Sequence, residues 1–248
     1  MYENIKFIPS GDSGLILEVS NQISDDVNEK IRALCYCIKK RRLKEIIELV
    51  PTYTTILIVY DCIKSSYEEL VEKLGDLEKS IKDVKIPPPE IVHIPTLYGG
   101  EYGVDLENVA KHNRLTIDEV IDIHSSINYL VYMIGFTPGF PYLGGMSEKI
   151  ATPRLGVPRE KISRGSVGIA GNQTGIYPID SPGGWQIIGR TPLNLFDSER
   201  SPSVLLKAGQ YLKFDSINEQ EYKSIRKEIM GNRYDIEKTV LKEVQLNG

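Results

Sequence analysis

Apolar residues in the first eighty positions follow two spacings in turn. Ile5–Ile8 and Leu15–Val19 are short apolar runs separated by Pro9-Ser-Gly-Asp-Ser-Gly14, the pattern of a β-hairpin with a longer loop. Ser24 followed by Asp25 and Asp26 marks a helix N-terminus, and Lys39-Lys40-Arg41-Arg42 places cations at its C-terminal end. Ile46–Val50 and Thr55–Tyr60 read as strands on either side of Pro51. Leu70, Val71, Leu74, Leu77 and Ile81 recur at helical spacing over Tyr67–Lys82. The order ββαββα predicts a two-layer α/β sandwich with helices on one face of a mainly antiparallel sheet. Pro87-Pro88-Pro89 cannot continue a helix and holds the chain extended, so a domain boundary is expected after residue 87.

The second part, 88–248, reads differently. Ile91–Ile94 opens it as a strand. A capping box, Thr116-x-x-Glu119, then precedes one helical stripe of Ile117, Val120, Ile121, Ile127, Leu130 and Val131, with His124 on the same stripe. Beyond Met133 the helical period ends. Val167–Ala170, Ile176–Ile179, Trp185–Ile188, Val204–Leu206 and Tyr211–Phe214 are short apolar runs broken by Gly and Pro, which predicts an all-β sandwich or barrel. Glu219–Met230 reads as a closing helix. The fold class is therefore α+β.

Composition adds little until it is divided along the chain. The 248 residues are 41% hydrophobic and 26% charged, with net charge −4, which argues against global disorder and against broad attraction to nucleic acid. The N-terminus has no basic segment followed by a long apolar run, and the longest apolar run, Ile56–Tyr60, is too short to span a bilayer. Cys35, Cys37 and Cys62 suggest no disulfide framework and read as small buried hydrophobes in a reducing cytoplasm. The distribution of turn formers is uneven, however: residues 135–192 hold 12 of the 21 Gly and 7 of the 14 Pro. Functional loops are expected there.

The chain lacks an autonomous hydrolase signature. There is no P-loop and no Gly-x-Ser-x-Gly elbow, and His93, His112 and His124 are too scattered to propose a metal site. Gly135-Phe-Thr-Pro-Gly-Phe-Pro-Tyr-Leu-Gly-Gly145 alternates aromatics with residues that fix or free φ, so Phe136, Phe140 and Tyr142 can line or close a rigid pocket. Pro153-Arg154 and Pro158-Arg159 set guanidiniums beside stiff backbone, a donor arrangement that suits a carboxylate or phosphate, and Arg164 and Arg190 can add to it. Gly171-Asn-Gln-Thr-Gly175 and Ser181-Pro-Gly-Gly-Trp185 supply neutral hydrogen-bonding groups. Trp185 reads as a core anchor or as a stacking surface. His124 is the general acid/base candidate by residue type, and equally a hydrogen-bonded core histidine.

These runs, together with Gly165-Ser-Val-Gly-Ile-Ala-Gly-Asn-Gln-Thr-Gly-Ile-Tyr-Pro178 and Gly189-Arg-Thr-Pro-Leu-Asn-Leu-Phe-Asp197, closely resemble the allophanate hydrolase subunit 1 family over residues 91–215. That family includes the PxpB component of 5-oxoprolinase and the kinase inhibitor KipI. The resemblance implies a cyclophilin-like β-barrel for 88–248. It implies one cytoplasmic component, inactive alone, of an ATP-dependent complex that opens 5-oxoproline to glutamate. The implied partners are a subunit 2-type (PxpC-like) chain and a PxpA-like chain, with ATP held at the level of the complex. Two other implied roles are a KipI-like inhibitor of a sensor histidine kinase and a carboxyltransferase subunit of the urea carboxylase kind. Carried onto this chain, His124 matches the family's histidine before the Gly-Phe-x-Pro-Gly-Phe loop, and Arg154, Arg159, Gln173, Tyr177, Ser181 and Arg190 match its polar positions. Phe140 and Tyr142 complete the expected substrate-binding set. Two departures stand out: Gly103-Val-Asp105 where the family usually has Gly-Pro-Asp, and Ser163-Arg164 where it often has Pro-Ala.

Overall fold

The computed structural model describes residues 4–81, 85–231 and 233–241. The chain divides into two compact units between Pro87 and Pro88.

The first unit is built of β1 (Lys6–Ser10), β2 (Gly14–Glu18), α1 (Asp25–Arg41), β3 (Ile46–Pro51), β4 (Thr55–Tyr60), α2 (Tyr67–Leu74) and α3 (Leu77–Ser80). The sheet is antiparallel throughout, in the order β1-β2-β4-β3. Leu15 and Leu17 of β2 and Ile56 and Ile58 of β4 are fully buried against Val27, Ile31, Leu34 and Ile38 of α1 and Leu70 and Leu74 of α2. Ser24 caps α1 by accepting from the Val27 N–H. The basic end of α1 is a tether as well as a solvated terminus: Arg41 pairs with Asp76 at 2.7 Å and donates to the Lys73 carbonyl. The helix expected over Tyr67–Lys82 is two helices, broken at Gly75-Asp76, where glycine is a poor helix former and Asp76 leaves the helical region (φ −95°, ψ 6°); Lys82 lies outside the described residues. Among the cysteines, Cys37 is buried and Cys35 half-buried, with its thiol pushed up to about 11 by burial, but Cys62 is exposed.

The second unit holds β5 (Glu90–Tyr98), α4 (Leu106–Asn113), α5 (Ile117–Ser125), β6 (Asn128–Ile134), β7 (Pro141–Gly144), β8 (Arg159–Ile162), β9 (Ser166–Ala170), β10 (Gln173–Ile176), β11 (Ser181–Gly183), β12 (Gln186–Arg190), β13 (Tyr211–Ser216), α6 (Glu219–Met230) and β14 (Lys238–Val240). Seven strands run β10-β9-β12-β5-β13-β6-β7, with β14 added on the N-terminal half of β5 and β11 paired with β8 as a separate ribbon. The end strands β7 and β10 lie beside one another, so the sheet curls into a nearly closed barrel. Val92, Ile94, Tyr129, Val131, Val167, Ile169, Ile188, Leu212 and Phe214 form its core.

Two expectations change. The helix beginning at the Thr116 capping box ends at Ser125, and Asn128–Ile134 is β6. Tyr129–Tyr132 are all buried, so the run is apolar on both faces and mimics helical spacing. Helix α4, unanticipated, buries Leu106, Val109 and Ala110. The strand expected at Ile176–Ile179 lies earlier, as β10, and Val204 makes only an isolated bridge to Phe196.

Candidate functional site

The seam where β7 faces β10 holds a cavity of about 240 Å³. Pro141, Tyr142 and Leu143 of β7 and Gln173 and Thr174 of β10 form its two walls. The β6–β7 loop supplies Phe136 and Phe140. Tyr177, Pro182, Gly183, Gly184 and Trp185 line it from one side, and Arg154 stands at its edge. The cavity thus sits where the barrel fails to close.

Phe140 is the hub of the aromatic wall. Its ring meets Phe136, Tyr142, Tyr177 and Trp185 edge to face, with centroids 5.5–6.2 Å apart. This is the arrangement that aromatic quadrupoles favour. Glycines make room for it: a Cβ on Gly175 would lie 3.0 Å from the Trp185 ring, and one on Gly183 would collide with the Tyr177 hydroxyl. Trp185 therefore serves both as anchor and as cavity wall. Phe136 sits at the turn of the loop with φ +62°, and the Thr137 N–H bonds back to the Gly135 carbonyl at 2.7 Å. A bulky residue at positive φ costs of order 1–3 kcal/mol and is retained mainly where a fixed presentation is useful. Phe136 is 83% exposed and its side chain lines the cavity.

Of the residues expected from the sequence, Phe140, Tyr142, Arg154, Gln173 and Tyr177 converge on this cavity. Among the described residues no hydrogen bond or ion pair engages the Arg154 guanidinium, which is exposed and available to an anion. Burial raises the Tyr177 phenol, opposed first by a hydrogen bond from the Trp185 backbone and then by the positive field of Arg154 and Arg159, so its hydroxyl stays neutral at physiological pH.

The other four expected residues lie elsewhere. Arg159 is committed to Asp105 at 2.7 Å and reaches the Trp185 carbonyl at 3.4 Å, so it braces the cavity from behind. Ser181 begins β11, paired with Ile162, one residue outside the lining. Arg190 lies over the Tyr102 ring at 5.8 Å, its Nε buried without a hydrogen-bond partner among the described residues. His124, expected to be catalytic, is fully buried in the barrel. Its Nδ1 meets the Tyr98 hydroxyl at 2.7 Å and its Nε2 the Thr174 hydroxyl at 2.8 Å, and its ring stacks on Phe214. A histidine at helical spacing among apolar residues looks the same in sequence whether it faces a cleft or a core.

Burial holds His124 at a pKa of about 3, so it is neutral in the folded chain. An unfolded imidazole takes up its proton near pH 6.5. The stability tied to His124 is thus complete above pH 6.5 and is lost progressively as pH falls toward 3. Between pH 7 and pH 5.5, His124→Asn is expected to lose about 1 kcal/mol less than the unmodified chain in urea titrations. Equal losses in the two proteins would contradict the burial.

Asp105 is the residue sequence reasoning passed over. It is 7% exposed; one carboxylate oxygen accepts from Arg159 and the other from the Ile187 N–H at 2.6 Å. Gly103, two residues earlier, packs so closely on the Ile188 carbonyl that any Cβ would collide with it. The signal was present in Gly103-Val-Asp105, whose glycine and aspartate are fixed by these two contacts while the middle residue, Val104, is exposed. Asp105→Ala leaves a buried N–H and a guanidinium without their acceptor, which is expected to cost about 2–3 kcal/mol. Asp105→Asn, which keeps one acceptor, costs less. Denaturant unfolding followed by Trp185 emission checks this; a loss within about 0.5 kcal/mol for Asp105→Ala would refute the bracing role.

The fold is that of a carboxyltransferase-type domain. The description "Carboxyltransferase domain, subdomain C and D" matches residues 5–206, and the chain belongs to that family. More particularly, the chain is 44% identical over 229 residues to the 5-oxoprolinase B subunit of Bacillus subtilis (strain 168), covering 88% of this chain and 95% of that protein. The solved structure of TTHA0988 is 31% identical with a TM-score of 0.71, covering 83% of this chain and 40% of that one. The urea amidolyase of K. lactis, 19% identical over 95% of this chain and 16% of its own, shares the fold at a TM-score of 0.70. No helix among the described residues is long and apolar enough to cross a membrane.

Proposed function

We propose that this chain is the PxpB-type component of an ATP-dependent 5-oxoprolinase, inactive alone. In this reading it works in the cytoplasm with a subunit 2-type (PxpC-like) chain and a PxpA-like chain. The near end-to-end likeness to the 5-oxoprolinase component of Bacillus subtilis carries the reading. The seam cavity suits the substrate chemically. A small lactam ring fits among Phe140, Tyr142 and Trp185. Its carboxylate pairs with the free Arg154 guanidinium, and its amide exchanges hydrogen bonds with Gln173 and the neutral Tyr177 hydroxyl. ATP enters at the level of the complex and not through a P-loop of this chain.

The test is reconstitution. The two partner chains, ATP and 5-oxoproline are mixed with and without this chain, and glutamate is assayed. Turnover is expected only when all three chains are present. Turnover that is indifferent to this chain would overturn the assignment.

A further inference from the structure

His124 cannot meet a ligand, yet it is one side chain away from one. Thr174, whose hydroxyl it holds, lines the cavity, and Gln173 precedes it on β10. The Thr174–Gly168 hydrogen bond assigns the directions. A hydroxyl has a single proton, and that of Thr174 goes to the Gly168 carbonyl at 3.1 Å, which can only accept. With that proton on Gly168, Thr174 Oγ1 accepts from His124 Nε2–H. Neutral His124 then has Nδ1 free to accept, and the Tyr98 hydroxyl donates to it. Burial drives the Tyr98 phenol well above its ordinary range, which keeps it a donor. The result is one directed chain, Tyr98 to His124 to Thr174 to Gly168, with every buried polar atom satisfied. The Tyr129 hydroxyl donates to the His124 carbonyl at 2.9 Å and fixes the end of α5.

We infer that His124 is the positioning residue of the seam cavity: its Nε2–H holds the Thr174 hydroxyl and so sets where β10 places Gln173 against the ligand. β10 is an end strand of the sheet, hydrogen-bonded in a ladder to β9 and lying beside β7, so this side-chain tether supplies the registration that a second ladder gives an interior strand. The histidine belongs to the cavity's architecture and takes no proton from the reaction.

The inference takes the seam cavity as the ligand site, but its test does not depend on turnover. The chain has a single tryptophan, Trp185, and β10 abuts it at Gly175. Its emission and its quenching by acrylamide therefore report the position of β10. His124→Asn places an amide near Nδ1 and abandons Thr174, whereas His124→Gln reaches the Nε2 position and keeps the donor. Thr174→Val removes the hydroxyl at constant shape.

His124→Asn and Thr174→Val are each expected to raise acrylamide quenching of Trp185 and to shift its emission. The double variant adds nothing further, and His124→Gln restores the original signal. In the reconstituted complex the same two single variants raise KM for 5-oxoproline about fivefold, the equivalent of one neutral hydrogen bond, with a smaller change in kcat. Additive effects, an unmoved Trp185 in Thr174→Val, or a His124 imidazole that titrates between pH 5 and 8 by NMR would each overturn the inference. A complex without 5-oxoprolinase activity would count against the proposed function and leave the tryptophan result standing.

Discussion

Phe140→Ala is expected to cost the barrel about 3–5 kcal/mol, the largest loss of any single substitution at the site. The ring is 7% exposed and is the one aromatic that touches Phe136, Tyr142, Tyr177 and Trp185 together. Truncation removes the transfer free energy of a buried phenyl group and leaves a void that the stiff strands on either side cannot close. It also unties the seam, because Phe140 belongs to the β6–β7 loop while Tyr177 and Trp185 lie beyond β10. Phe140→Leu keeps most of the volume and is expected to recover more than half of the loss. Urea unfolding monitored by circular dichroism measures both. A cost below about 1 kcal/mol for the alanine variant would mean that the aromatic cluster is not what holds the seam.

Arg154→Ala is expected to do the reverse, sparing stability and removing affinity. The side chain is exposed and has no partner among the described residues, so its loss should move stability by no more than about 0.5 kcal/mol. If it receives the substrate carboxylate, the lost charge-assisted hydrogen bonds are worth about 1.5–3 kcal/mol, which raises KM for 5-oxoproline by roughly 10- to 100-fold. Arg154→Lys restores the charge without the planar two-point grip and should recover only part of it. Arg159→Ala is the informative contrast. Its guanidinium is already engaged by Asp105 and the Trp185 carbonyl, so stability should fall, and affinity only in consequence. An unchanged KM in Arg154→Ala would remove the anion site from the cavity.

The two arginines show where sequence reading stopped. Pro153-Arg154 and Pro158-Arg159 are chemically alike in sequence, and only the fold sets one guanidinium at an open edge and the other against a buried carboxylate. The Gly/Pro-dense stretch was legible as a set of rigid functional loops, since glycine and proline constrain the backbone locally. Five of the site residues named from it converge on one cavity. The ββαββ order of the first unit was equally legible, because one-sided burial leaves clean alternation in β4. β6 was not, because Tyr129–Tyr132 are buried on both faces and carry no alternation. β10 was misplaced because Gln173-Thr-Gly-Ile176 has a single apolar side chain, at its end, and Gly175 breaks the strand pattern; pairing with β9 holds it as a strand. Asp105 and Thr174 draw their importance from partners 54 and 50 residues away, a separation that local patterning does not reach.

In the proposed function the seam cavity takes a carboxylate-bearing lactam. The single tryptophan makes it directly measurable: the chain is labelled with 5-fluorotryptophan, assembled with unlabelled partner chains, and its one ¹⁹F resonance is followed during titration. Saturable movement of that resonance with 5-oxoproline, absent with 2-pyrrolidinone and abolished in Arg154→Ala, is the predicted result. A resonance indifferent to 5-oxoproline, or one that responds equally to the lactam lacking the carboxylate, would contradict it.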